Sequence, residues 1–355
     1  MINVLVVDDS ALVRKLIGQV FAAEPDFSVQ FARNGREALD AIKLAKPDVV
    51  TLDVQMPEMD GLTCLDRIMI EHPCPVVMVS STTAEGADAT LEALRLGAVD
   101  FVAKPSGAVS LKFADMAQPL VDKVRAAAGA RLKSTLRLRD RVRHKIGTHA
   151  PSAELKVRSR KQTAAGDGIV LVGTSTGGPP ALEALLRGLP STFPWPMVVA
   201  QHMPASFTGP LARRLNELTE LTVQEVRDPV RLAPGNVYIG RGDADIIISR
   251  RGGMLVAMAA PSQAGYPWHP STDRLVRSAL NLLPPNQLIG VLMTGMGNDG
   301  ADAMALLRRD GGRTIAEAEE TAVVWGMPGE LVKAKGADHV LPLPKIAERL
   351  KKMVI

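Results

Sequence analysis

Short apolar runs alternate with helical patterns over the first third of the chain. Between these runs, apolar residues recur at helical spacing, as at Leu12, Leu16 and Val20, and Ser10 stands in the N-cap position before them. The runs lack polar alternation, so helices should cover both faces of the sheet, and the βα alternation predicts parallel strands. Residues 1–122 are therefore predicted to form a doubly wound α/β domain with the strands INVLVV, SVQFA, DVVTL, PVVMVS and AVDFVA.

The alternation resumes after Gly168 and predicts a second doubly wound parallel-sheet domain over residues 166–355. Its predicted strands are IVLVG, MVVAQ, VYIG, DIIIS, MLVAMA and LIGVLMTG. Between the two domains, residues 123–165 are basic and then rich in Ser, Thr, Ala and Gly, without apolar periodicity beyond Gly147. This segment is predicted to be a linker.

Composition and charge narrow the class of protein. The chain has 355 residues, of which 46% are hydrophobic, and a net charge of +4. Residues 123–161 hold 13 Lys or Arg against two acidic residues, so the rest of the chain is net negative and no nucleic-acid partner is predicted. No signal peptide and no apolar run of about 18 residues is seen, and the two cysteines lack metal-ligand spacing, so we expect a cytoplasmic protein without membrane insertion.

Carboxylates follow two of the predicted strands in the first domain. Asp8 and Asp9 end the first strand and Asp53 follows the third, while Ser80 ends the fourth and Lys104 follows the fifth. Ligands of open α/β sheets collect at these strand ends. Carboxylates meeting there would repel one another unless a hard cation joined them, and Mg²⁺ with oxygen ligands is the natural choice. Such a cation and the Lys104 ammonium would favour a phosphoryl group on one carboxylate.

The segments VVDDS, LDVQMPEMDG, MVSS and GAVDFVAKPS closely resemble a flavodoxin-like response-regulator receiver domain. The resemblance implies that a histidine kinase phosphorylates Asp53. It also implies that Mg²⁺ is held by Asp8, Asp9 and Asp53 with the backbone carbonyl of Gln55, which stands where the family commonly has Glu. The other residues it implies are Ser80 and Lys104 as phosphoryl ligands, Phe101 as the aromatic switch residue, and a cis peptide at Lys104–Pro105.

A serine in a glycine-rich turn is the main candidate for chemistry in the second domain. Gly173–Gly177 fits G-x-S-x-G between a strand and a helix, as a nucleophile elbow requires, and a phosphate-binding turn fits this motif equally well. A nucleophilic Ser175 needs a base, and His202 follows a strand at the same sheet edge, with His269 as an alternative. Asp299, in a loop with glycines at 295, 297 and 300, is the candidate acid. The order Ser, His, Asp differs from that of α/β-hydrolases.

Several motifs of the second domain resemble the CheB family of chemotaxis protein-glutamate methylesterases. The family's catalytic residues fall on Ser175, His202 and Asp299, and Thr176 and Met296 match positions near its oxyanion site. The motifs are GTSTGGPPAL, QHMPASFT, LTVQEVRD, LAPGNVYIG, HPSTD, MTGMGNDGADAM and VVWGMP.

This resemblance implies that the protein demethylates glutamate methyl esters on chemoreceptors. The family also deamidates glutamines of the receptors, so the resemblance implies this second reaction as well. It also implies recruitment to chemoreceptor arrays and relief, on phosphorylation, of an active site that the receiver obstructs. The esterase step would need no cofactor. Three positions depart from the family's pattern in the second domain: Arg241 replaces Pro, Asp245 replaces His, and Glu317 replaces Gln.

Two other functions remain alternatives. A DNA-binding response regulator would use the basic linker, but no helix-turn-helix pattern follows the receiver. A receiver fused to a nucleotide-binding or scaffolding module would use GTSTGG as a phosphate cradle, but a P-loop lysine and a G-x-G-x-x-G motif are both missing there.

Overall fold

The computed structural model describes residues 1–104, 109–130 and 168–354. The first domain is a five-stranded parallel sheet in the order β2-β1-β3-β4-β5 with helices on both faces. Ser10 accepts a hydrogen bond from the Val13 N–H and caps the first helix, as predicted. The elements are β1 Ile2–Val7, α1 Ala11–Ala22, β2 Phe27–Ala32, α2 Gly35–Ala45, β3 Val49–Asp53, α3 Gly61–Glu71, β4 Val76–Ser80, α4 Ala84–Leu96, β5 Asp100–Ala103 and α5 Val109–Ala128.

Helix α5 extends the first domain beyond its predicted end. Leu120, Val124 and Ala127 are buried against the strand residues of this domain, so the predicted boundary at residue 122 falls inside the helix. Periodicity did not reveal this because the helix continues directly into the basic segment. Most of the predicted linker, residues 131–165, and the Pro105 of the expected cis peptide lie outside the described residues.

The second domain has a seven-stranded parallel sheet in the order β15-β14-β13-β6-β7-β10-β8. None of the helices in the described part of either domain combines the length and apolar character that a membrane span requires. The elements are β6 Ile169–Thr174, α6 Gly178–Arg187, β7 Met197–Gln201, α7 Ala205–Leu218, β8 Thr222–Val226, β9 Val230–Arg231, β10 Asn236–Gly240, β11 Asp245–Arg251, β12 Met254–Ala260, α8 Thr272–Leu280, β13 Leu288–Leu292, α9 Ala301–Arg309, β14 Arg313–Glu317, α10 Met327–Lys333, β15 His339–Leu341 and α11 Leu343–Met353.

Two of the predicted strands, DIIIS and MLVAMA, lie outside this parallel sheet. They form β11 and β12, which pair antiparallel and add β9 to make a separate three-stranded sheet. The turn between them is Gly252–Gly253, both with positive φ (54° and 79°). Two residues can close an antiparallel hairpin, whereas a parallel pair needs a crossover of a dozen residues or more.

Candidate functional site

The Ser175 turn begins where β6 ends at the carboxyl edge of the large sheet. The Ser175 N–H donates to the Thr294 carbonyl (3.0 Å), and the Gly178 N–H donates to the Ser175 carbonyl (2.8 Å). Gly177 has φ 75°, and a Cβ there would lie 2.7 Å from Val323 Cβ, so the turn requires glycine on both counts. The result is a tight strand–turn–helix connection with Ser175 at its apex, 8% exposed.

Strand register brings His202 beside this turn. Thr174 and Gln201 are paired at the ends of β6 and β7, and the His202 N–H donates to the Thr174 carbonyl (3.0 Å). The His202 Nε2 lies 2.8 Å from Asp299 Oδ2. Its Nδ1 is buried and has no hydrogen-bond partner among the described residues. Nδ1 is therefore the ring nitrogen left to accept a proton.

Asp299 is held by several donors besides the histidine. Its carboxylate accepts hydrogen bonds from the Ser271 hydroxyl (2.9 Å) and from the N–H groups of Thr272 (2.6 Å) and Asp273 (3.1 Å). Burial acts to raise the pKa of Asp299, but His202 and these N–H groups outweigh it and hold the pKa below its usual range. An ionised carboxylate at this position keeps the proton of the imidazole on Nε2.

The alternative histidine, His269, belongs to a different cluster. Its Nδ1 lies 2.9 Å from Asp245 Oδ1, and Arg274 Nη1 lies 2.5 Å from the other oxygen of Asp245. Asp245 therefore acts as the shared acceptor of His269 and Arg274. The structure brings His202 to Asp299, and it places His269 against Asp245.

The loop after β13 lies against the Ser175 turn. A Cβ on Gly295 would be 2.7 Å from Ser175 Cβ, so only glycine permits this approach. Neither the Thr176 N–H nor the Met296 N–H has an acceptor within the described residues. Two free amides beside a serine are the donors that an oxyanion needs.

The sequence did not single out Trp268, which lies over the candidate histidine. Its ring is parallel to the His202 imidazole (5° between planes) with the centroids 6.0 Å apart. A Cβ on Gly297, which has φ 79°, would lie 2.9 Å from Trp268 Cζ2, so the indole also contacts the glycine loop. Trp268 directly precedes the HPSTD motif in the sequence, and this position is the signal that could have identified it.

The carboxylates of the first domain converge as predicted. One carboxylate oxygen from each of Asp8, Asp9 and Asp53 lies within 4.8 Å of the others. The Lys104 Nζ lies 2.9 Å from Asp8 and 2.7 Å from Asp53. This set of hard oxygen donors at close range fits Mg²⁺.

The environment of this acidic cluster shifts two pKa values. Burial raises the pKa of Asp53 above its ordinary value, although the Lys104 ammonium opposes the shift. Burial acts to lower the pKa of Lys104, but the carboxylates of Asp53 and Asp8 outweigh it and raise the pKa. A cation beside these carboxylates would therefore favour the ionised form of Asp53.

The other predicted residues of the first domain lie around this cluster. The Ser80 hydroxyl donates to the Gly86 carbonyl (3.1 Å), and the Gln55 N–H donates to Asp53 Oδ1 (3.4 Å), with the Gln55 side chain exposed. Phe101 faces the second domain and is buried, with its ring centroid 4.3 Å from that of Phe207 on α7.

Two family models match the chain, one for each domain. The response regulator receiver domain matches residues 4–114, and the CheB methylesterase matches residues 170–350, about half of the chain. The chain belongs to the CheB methylesterase family. The predicted resemblance and the predicted pair of α/β domains are thereby confirmed.

The similarity to relatives extends over the whole chain. A protein-glutamate methylesterase/protein-glutamine glutaminase 2 of Rhodopseudomonas palustris is 55% identical over 98% of this chain and 96% of its own length. A protein of Rhodospirillum rubrum with the same name, numbered 3, is 52% identical over 99% and 95%. The crystal structure of the Thermotoga maritima CheB methylesterase catalytic domain covers 54% of this chain and 100% of its own, with 38% identity and a TM-score of 0.51.

In this CheB family member the receiver packs directly over the Ser175 turn. Helix α4 of the receiver contacts α6 and α7, and one apolar cluster joins the two domains. The Thr176 hydroxyl, next to Ser175, donates to Asp100 Oδ2 of the receiver. At the edge of the interface, Arg214 on α7 pairs with Glu92 on α4 (3.1 Å). The closed arrangement thus places receiver atoms beside the candidate active site.

The three departures from the family's pattern have separate locations. Arg241 pairs with Asp243 in an exposed loop (2.7 Å), and Asp245 holds His269 and Arg274. Glu317 is fully buried at the end of β14, and its carboxylate accepts from the Thr294 N–H (2.9 Å). The Thr294 carbonyl in turn accepts from the Ser175 N–H, so Glu317 stabilises the Ser175 turn through Thr294.

Proposed function

We propose that this chain is a phosphorylation-regulated hydrolase that demethylates glutamate γ-methyl esters of methyl-accepting chemotaxis receptors and releases methanol. The observation that carries the proposal is the His202–Asp299 pair (2.8 Å) at the sheet edge where the Ser175 turn begins. The names of the full-length relatives support the same activity and add deamidation of glutamine. A serine activated by a histidine and an aspartate can attack the carbonyl of an ester or of an amide, because the two substrates differ only in the leaving group.

In the proposed reaction, His202 Nδ1 removes the proton from the Ser175 hydroxyl as its oxygen attacks the ester carbonyl. The N–H groups of Thr176 and Met296 would stabilise the resulting oxyanion. Asp299 would hold the imidazole through Nε2 and stabilise its charge. The imidazolium then returns the proton to the leaving methoxide, and methanol departs. Water attacks the acyl-enzyme in the same way, which frees the glutamate carboxylate and Ser175.

The proposed control acts through the receiver. A histidine kinase would supply the phosphoryl group to Asp53, and Ser80 and Lys104 would bind its oxygens. Asp8, Asp9, Asp53 and the Gln55 carbonyl would hold Mg²⁺, which when bound neutralises charge on the phosphoryl oxygens. A rearrangement reaching Phe101, at the contact with Phe207, would then loosen the interface and open the Ser175 turn. The chain would act in the cytoplasm at chemoreceptor arrays.

The first test measures methanol release from methylated chemoreceptor membranes. Wild-type protein is compared with Ser175→Ala, each with and without a small phosphodonor and Mg²⁺. Release that rises with phosphodonor and disappears in the variant is the expected result. Wild-type release no higher than the background seen with a folded Ser175→Ala protein would reject the esterase and favour a binding or scaffolding role for the second domain.

A further inference from the structure

The side chain of Gln201 links the two candidate catalytic residues. Its Nε2 donates to the carbonyl oxygen of Ser175 (3.0 Å) and to that of His202 (3.0 Å). Its Oε1 accepts from the Thr174 hydroxyl (2.6 Å), and the residue is 1% exposed. Every hydrogen of the amide nitrogen is therefore used on the backbone of the site.

The chemistry of the partners dictates how this amide is oriented. Both backbone oxygens can only accept, so the nitrogen of the Gln201 amide must face them. The Thr174 hydroxyl donates to the remaining oxygen, which disfavours the flipped amide. A carboxylate in the place of this amide would have no hydrogen to donate to either oxygen.

Strand pairing alone does not hold Ser175 and His202 together. The last β6–β7 pair is Thr174 and Gln201, and one backbone bond beyond it, from the His202 N–H to the Thr174 carbonyl (3.0 Å), ties His202 to β6. The backbone of Ser175 bonds instead to Thr294 and Gly178, within the Ser175 turn and the loop after β13. The Gln201 side chain extends the connection by one residue on each strand. A Cβ on Gly178 would lie 2.0 Å from Gln201 Oε1, so the second glycine of the turn makes room for this amide.

We propose that Gln201 is a positioning residue that sets the separation between Ser175 and His202. The inference rests on the proposed esterase function and deepens it. Gln201 does not face the substrate; it acts through the backbone of the two residues that exchange the proton. Without it, the two carbonyls lose a shared donor and the serine and imidazole can move apart. A displacement of about 1 Å between reacting groups can lower a rate roughly 100-fold.

The test uses three variants of the full chain in the presence of Mg²⁺ and a phosphodonor. Gln201→Met removes the donors with little change in side-chain length, and Thr174→Val removes only the hydroxyl that orients the amide. Thr314→Val is the matched control, since it removes a buried hydroxyl that bonds Gly336 (2.6 Å) near the opposite end of the same sheet. Each protein is assayed for methanol release, for the rate of Ser175 sulfonylation by phenylmethylsulfonyl fluoride, and for its Tm.

The expected result is a kcat lower by roughly 100-fold in Gln201→Met and about fivefold in Thr174→Val, with KM nearly unchanged. Sulfonylation, in which the serine oxygen displaces fluoride, should slow by similar factors. Thr314→Val should lower Tm but leave both rates at the wild-type value. A kcat in both site variants that equals that of the control would overturn the proposal.

The two readouts separate this inference from the proposed function. If the wild type is sulfonylated at Ser175 but releases no methanol, the esterase proposal fails, and the sulfonylation rates of the variants still test positioning. If the wild type releases methanol while Gln201→Met does so equally fast, the esterase stands and the positioning role is rejected. A wild type that neither releases methanol nor reacts with the reagent would reject both proposals, because no activated serine would be there to position.

Discussion

Removing the Asp100 carboxylate should activate the enzyme without phosphorylation. Asp100 accepts the Thr176 hydroxyl across the domain interface and is also paired with Lys123 of its own domain (2.8 Å). The pair with Lys123 joins two receiver residues, so it persists when the domains separate. Of the two side-chain bonds of Asp100 named here, only the one to Thr176 crosses the domain interface, and Asp100→Ala removes it without altering the catalytic domain.

The size of the effect follows from the nature of this bond. A hydrogen bond to a charged group contributes about 1.5–3 kcal/mol to the state that contains it. Asp100 is 5% exposed, so solvent screens the interaction little. At about 1.4 kcal/mol per factor of ten, the closed–open equilibrium should shift roughly 10- to 100-fold towards the open form. Basal activity should rise by up to that factor, with the phosphorylated wild type as its ceiling.

The assay is methanol release from methylated receptor membranes without phosphodonor. Asp26→Ala is the matched control, because it also removes an aspartate from an ion pair of α5, with Arg125 (2.9 Å), but entirely within the receiver. The control should keep the wild-type basal rate. An Asp100→Ala protein that is folded and no more active than the control would refute the reasoning and show that the Thr176 contact does not keep the site closed.

Three further predictions concern the two sites. Ser175→Ala should lower kcat by at least roughly 10⁴-fold with an unchanged far-UV CD spectrum, and near wild-type turnover would exclude a serine nucleophile. Asp53→Asn, like removal of Mg²⁺ by EDTA, should abolish stimulation by phosphodonor and leave the basal rate intact. Asp299→Asn should lower kcat on the order of 10⁴-fold, because the amide no longer holds the imidazole in the required tautomer.

Asp299 should also contribute to the loss of folding stability at low pH. Its pKa in the folded protein is lower than the ordinary 3.8, so its stabilising contribution is complete above that value and is lost as the pH falls through the folded-state pKa. Urea unfolding at several pH values should therefore show a steeper acid loss for the wild type than for Asp299→Asn, and equal slopes would contradict the assignment.

Most of the candidate site could be predicted because parallel strands bring their carboxyl ends to one edge. Ser175 and His202 each follow a strand run, and β6 and β7 are neighbours in the sheet, so their meeting required no knowledge of side-chain packing. Asp8 and Asp53 meet in the receiver for the same reason, on adjacent β1 and β3. The sequence did not identify Trp268 or Gln201 as site residues. One is an aromatic residue in a loop and the other an amide at the end of a strand, and no periodic pattern distinguishes either from its neighbours.

The sequence by itself determined the order of strands and helices, the two α/β domains and the residues at strand ends, because these depend on local apolar patterns and on turn chemistry. Only the tertiary structure decided that His202 rather than His269 contacts Asp299, that β11 and β12 leave the parallel sheet, and that Asp100 reaches Thr176. Each of these depends on contacts between residues that are distant in the chain. Such contacts are set by how whole elements pack, and no local pattern encodes them.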